Sequence, residues 1–95
     1  MALYLISYDI NEKDAFEYKP IYDLLNKWDA KRILYSEWVV VSEVGQANNI
    51  YNEIAPLTQP KDRLLVQEIM RDAAWDKLII SDEEFKRLIL DNARG

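Results

Sequence analysis

Chemistry in this chain has to be done with oxygen and amino groups. The sequence contains no histidine and no cysteine. That removes the usual general base, the Ser-His-Asp triad, the thiolate nucleophile and the commonest zinc ligands. Carboxylates, lysines, tyrosines, hydroxyls and a metal held by oxygen remain. The sharpest candidate is Asp9, which ends an apolar run over residues 3–8. A carboxylate at the C-terminal end of a strand is well placed at a sheet edge or a dimer cleft. One aspartate alone is a poor magnesium site, because Mg²⁺ takes octahedral oxygen ligands and keeps several waters. A two-fold axis would double the count. Two carboxylates, water and a substrate phosphate then suffice to activate a hydroxide for phosphodiester attack. The plainer alternative is that Asp9 ends the strand and caps the following turn.

Other groups carry weaker signals. Asn11, Glu12 and Asp14 are spaced like the start of a calcium loop, but the required glycine and closing glutamate are missing, which favours a solvated loop. Lys27, Lys31 and Arg32 form one small basic group, and Lys61, Arg63 and Arg71 another. Either suits a phosphate, although basic residues beside strands more commonly protect edges. Tyr4, Tyr8, Tyr35 and Trp38 have the shapes to stack on bases, yet at alternating strand positions they are expected in the core or a dimer interface. Trp28, on an apolar helix stripe, is expected in the core.

The 95 residues suffice for one domain, 1–95, with a core over 1–70 and a tail over 71–95. Hydrophobic residues make up 49%, which is globular composition. Twelve Lys and Arg against seventeen Asp and Glu leave a net charge of −5. A general nucleic-acid binder usually has the opposite surplus, since neutralising phosphates drives its affinity. A local patch or a metal-mediated phosphate contact stays open. The apolar start, Met1-Ala2-Leu3-Tyr4-Leu5-Ile6, lacks a basic leader and soon meets Asp9, so it reads as a strand. No apolar stretch approaches the roughly 20 residues of a membrane span, and a cytoplasmic location is expected.

The elements that would position Asp9 follow from periodicity. Residues 3–8 are apolar on both alternating faces except at Ser7, as in a central strand. Residues 12–19 read as a loop or a short helical turn. Pro20 suits a first helical turn, and Ile21, Leu24, Leu25 and Trp28 recur at helical spacing. Residues 31–42 are β-branched and aromatic and too long for one strand, which predicts a bend, bulge or tight turn near Ser36-Glu37. Ala47, Ile50, Tyr51 and Ile54 mark a second helix, stopped near Pro56. Residues 63–70 read as a strand, 71–76 as a loop and 77–80 as a short strand. Ser81 with Glu84 makes a capping box for a last helix carrying Phe85, Leu88 and Ile89. The order βαββαβ predicts a ferredoxin-like α+β sandwich, an antiparallel sheet with two helices on one face and a strand/helix tail. The other sheet face needs a cover, from the tail or a second subunit.

Leu3-Tyr4-Leu5-Ile6-Ser7-Tyr8-Asp9-Ile10 resembles the opening strand of the CRISPR-associated small endonuclease and adaptor family of the spacer-acquisition complex. Arg32-Ile33-Leu34-Tyr35-Ser36 resembles that family's second-strand motif, and Arg63-Leu64-Leu65-Val66-Gln67-Glu68-Ile69 stands where it has its fourth strand. The likeness spans roughly residues 2–70. It implies a ferredoxin-like homodimer in which Asp9 and its symmetry mate hold Mg²⁺. The implied activity is metal-dependent cleavage of RNA or DNA, with an integrase as a further protein partner. Asp9 carries over as catalytic and metal-binding residue, Tyr8 and Ser36 as flanking positions. Glu37-Trp38-Val39 departs from the family pattern, as do the helical tail and the acidic charge. These departures fit the alternative of a non-catalytic dimeric adaptor that meets a basic protein partner. The virulence-associated D family, small ribonuclease-like proteins of the same fold, is a neighbouring resemblance.

Overall fold

The first strand, β1 (Ala2–Asp9), lies between two others and is buried on both faces. A computed structural model describes residues 1–11 and 18–95. The remaining elements are α1 (Lys19–Lys27), β2 (Lys31–Leu34), β3 (Glu37–Ser42), α2 (Ala47–Ile54) with a 3₁₀ turn (Ala55–Leu57), β4 (Arg63–Ile69) and α3 (Asp82–Asn92). The sheet order is β2-β3-β1-β4 and every pairing is antiparallel. This is the expected ferredoxin-like α+β arrangement. The reading of residues 12–19 falls largely outside the described residues.

Strand alternation sorts β1 into two cores. Ala2, Tyr4, Ile6 and Tyr8 join Ile21 and Leu25 of α1, Ile50 and Ile54 of α2, and Trp38 and Val40 of β3. Leu3 points the other way, with Ile33 and Val39, into a cluster completed by Phe85, Ile89 and Ala93. Helices α1 and α2 therefore share one face, and α3 lies on the other. The tail of the same chain supplies a cover for the second face. Ser81 Oγ accepts from Glu84 N at 3.1 Å, so the serine half of the expected capping box forms and sets the start of α3. Trp75 meets the Phe85 ring edge-on at 4.7 Å between centroids.

Helix α1 has Pro20 in its first turn and ends in a Schellman arrangement. Asp29 adopts φ 58°, Asp29 N donates to Asn26 O, and Ala30 N donates to Leu25 O. The long extended run divides as expected: a tight turn at Tyr35 and Ser36 separates β2 from β3, with a register shift between Arg32 and Leu34. Helix α2 starts without a side-chain cap. Instead the buried Tyr4 hydroxyl donates to Glu43 O at 2.8 Å and accepts from Gln46 N at 2.9 Å, pinning the loop before it. Gly45 turns that loop at φ +80°, where a side chain would be strained.

One expected element is absent. Residues 77–80 form no strand, because Lys77 sits at φ 55° and breaks the extended run. A single backbone bond, Ile79 N to Ile33 O at 2.9 Å, ties this segment to β2.

The end of the chain is clamped to β4. Arg94 donates through Nε and Nη2 to the two carboxylate oxygens of Glu68, both at 2.6 Å. Arg71 Nε donates to Ala93 O at 2.9 Å and its Nη2 to Leu90 O at 3.2 Å, satisfying carbonyls at the end of α3. The Glu68 side chain is only 14% exposed, and the Arg94 guanidinium holds its carboxyl below the ordinary 4.5. A lowered carboxylate contributes stability above its unfolded value and loses it as pH falls through the folded one. Amide exchange in α3 should therefore lose protection as pH drops below 4.5. Glu68→Gln should show the weaker protection at every pH, with no acid step.

Candidate functional site

Asp9 is the last residue of β1 and stands in register with Arg63, the first of β4. By alternation both project from the sheet face that carries Leu3 and α3. Arg63 Nη1 lies 3.9 Å from Asp9 Oδ2, with the side chains 84% and 75% exposed. An exposed pair at that distance contributes little to stability and is easily displaced by a ligand. Asn11 and Lys61 complete a polar recess of 440 Å³ with these two.

The loop beneath the recess is tied by Asp62. Its Oδ1 accepts from Asn11 N and its Oδ2 from Gln59 N, each at 2.7 Å. One carboxylate thus joins the β1 exit to the 59–62 turn, and it fixes Lys61 and Arg63 beside Asp9. Sequence reasoning missed Asp62. Its available signal was an aspartate in a Pro-containing turn, where such side chains bond nearby backbone N–H groups.

The recess combines one carboxylate, two cationic side chains and an amide. That set suits an anionic phosphate, with Asp9 offering oxygen to a cation that bridges to it. Among the described residues no group of three His, Cys, Asp or Glu gathers to hold a metal. Glu12 and Asp14 lie outside the described residues.

Other sequence candidates are dispersed. Tyr8 is buried, and its hydroxyl accepts from Trp38 Nε1 at 2.9 Å, so it belongs to the core. Ser36 contributes its backbone carbonyl, which accepts from Tyr8 N at 3.1 Å. Tyr4 and Trp38 are core residues as expected, while Tyr35 is 61% exposed. Two members of the first basic group, Lys31 and Arg32, are absorbed locally. Lys31 pairs with Asp29 at 3.1 Å, and Arg32 lies over the rings of Trp38 and Tyr22 at 4.7 and 5.4 Å. In the second group, Arg71 serves the tail and only Lys61 and Arg63 face Asp9.

The surroundings of Asp9 include uncovered apolar surface. Helix α3 covers Leu3 and Val39, but towards Asp9 the same face offers half-buried Leu5 and Ser7 and 51%-exposed Leu65. Ser7, Leu65, Asp9 and Arg63 line one shallow hollow. No helix among the described residues is long and apolar enough to cross a membrane. The chain matches no protein-family model and no curated protein.

Two substitutions separate fold from site. Tyr8→Phe leaves the buried Trp38 N–H without its acceptor and should cost about 1–3 kcal/mol in urea unfolding. Asp9→Asn, at an exposed position, should change the same measurement by no more than about 0.5 kcal/mol.

Proposed function

We propose that the recess at the end of β1 binds a nucleic-acid phosphate, and that Asp9 with its symmetry mate in a homodimer holds Mg²⁺ for phosphodiester cleavage of RNA or DNA. This is the activity implied by the resemblance to the CRISPR-associated small nuclease and adaptor family. The observation that carries it is the convergence of Asp9, Asn11, Lys61 and Arg63 on one recess, in a chain whose surplus charge is negative. Lys61 and Arg63 position phosphate oxygens. A cation held by Asp9 oxygen would lower the pKa of its bound water and would stabilise the negative charge developing on the phosphoryl oxygens. The uncovered surface around Leu65 adjoins Asp9 and supports a second copy packing there.

A second reading, a non-catalytic dimeric adaptor, is favoured by the Arg63 guanidinium already beside Asp9. Its partner would be a basic protein, such as an integrase.

Single-stranded RNA and duplex DNA, each with and without Mg²⁺, decide between the readings. Cleavage should require the metal and fall at least about 100-fold in Asp9→Asn, since even partners of metal ligands cost 10–100-fold. Lys61→Ala with Arg63→Ala should weaken substrate binding and flatten its salt dependence. Metal-dependent cleavage that survives Asp9→Asn removes Asp9 from the reaction. A stable dimer that cleaves neither substrate selects the adaptor, and a monomer at micromolar concentration in a sizing measurement defeats both.

A further inference from the structure

A second recess, of 320 Å³, opens at the other end of the sheet. Its floor is Val40 and Ile50, one wall is Trp28 at the end of α1, and the facing rim carries Ser42, Asn49 and Glu53. Ser42 pairs with Ala2, whereas Glu37 pairs with Ser7 beside Asp9. The two recesses are therefore about 20 Å apart along the strands, at about 3.3 Å per residue.

The recess exists because β3 outruns its neighbour. β2 pairs with β3 only as far as Val39, so the outer edge of residues 40–42 has no strand beside it. Trp28 and α2 flank that gap. Helix α2 turns a mixed stripe towards it, with Gln46, Asn49, Ile50 and Glu53 at spacings of three and four. Ile50 is buried there. Asn49 Nδ2 donates to Gln46 Oε1 at 2.8 Å, which leaves the Asn49 carbonyl oxygen to accept. The Tyr4 hydroxyl holds Gln46 N, so the rim is set by a buried core residue.

The chemistry of the lining is one-sided. Among the described residues, Glu53 is the only charged side chain lining it, and no salt bridge includes it. Acceptors predominate: the Glu53 carboxylate, Asn49 Oδ1 and Ser42 Oγ. Trp28 supplies an aromatic wall, a surface type that attracts cations. A phosphate or carboxylate ligand would meet only repulsion at Glu53. A planar cation with several donors fits, and guanidinium matches carboxylate geometry and stacks on aromatic faces. We infer that this recess is a docking site for an arginine side chain of a protein partner, with Trp28 against the guanidinium plane, Glu53 as counter-ion and the apolar floor beneath the alkyl stem. The surplus negative charge of the chain favours approach of such a partner. The inference is independent of any chemistry at Asp9.

The test titrates the protein with N-acetyl-arginine amide, following indole N–H resonances and tryptophan emission. N-acetyl-citrulline amide serves as the uncharged isostere. Saturable binding in the millimolar range is expected for arginine, at least about tenfold weaker for citrulline, with the Trp28 resonance moving most. Glu53→Gln, an exposed change that leaves the fold intact, should weaken arginine binding about tenfold and citrulline binding little. Trp28→Phe should remove most of the stacking contribution. Equal affinity for arginine and citrulline overturns the inference, as does indifference to Glu53→Gln or the absence of saturation at tens of millimolar.

Discussion

The structure depends on one strand being apolar on both sides. β1 accepts α1 and α2 on one face and the α3 cluster on the other, and it pairs with β3 and β4 along its edges. Each residue of β1 is therefore committed twice, once by register and once by face. A slip of one position would move Tyr4, Ile6 and Tyr8 away from their helices and bring Leu3, Leu5 and Ser7 under them. Even the polar atoms obey this constraint. The hydroxyls of Tyr4 and Tyr8 are each spent on a fixed partner, the loop before α2 and the Trp38 indole.

Asp9 is where that commitment ends. It continues the register, opposite Arg63, but it lies past the last residue that α3 covers. The same alternation that buries Leu3 thus delivers a carboxylate to solvent on a rigid element, while Asp62 fixes the facing loop from below. A side chain at the end of a buried strand is better defined in position than one on a free loop. The chemistry proposed for the recess rests on this placement.

Much of this was legible in the sequence. The double apolar alternation of residues 3–8 announced a central strand. Pro20, the tight turn at Ser36 and the Ser81–Glu84 box fixed boundaries, because each rests on local backbone chemistry. Residues 77–80 misled, since a β-rich composition is overridden by one residue in the left-handed region, and nothing about a lysine signals it. The choice between tail and second subunit as cover for the free face depended on tertiary packing, which periodicity does not encode. The same holds at the site. Asp9 could be found by its position, but Tyr8 and Asp62 exchanged importance once long-range hydrogen bonds were visible. Trp28 was expected in the core, and it does pack there. Its second role, as a wall beside the β3 overhang, needed the register of β2.

The pairing of β1 also bears on how the chain is made. Leu3 finds its partner in Ile69, sixty-six positions later, and its other partner in Val41. On a ribosome adding about 5–20 residues per second, β1 is made before β4 and waits several seconds for that neighbour. During that interval it is an unpaired, two-sided hydrophobic ribbon, a preferred substrate for holdase chaperones and a seed for misassembly between nascent copies.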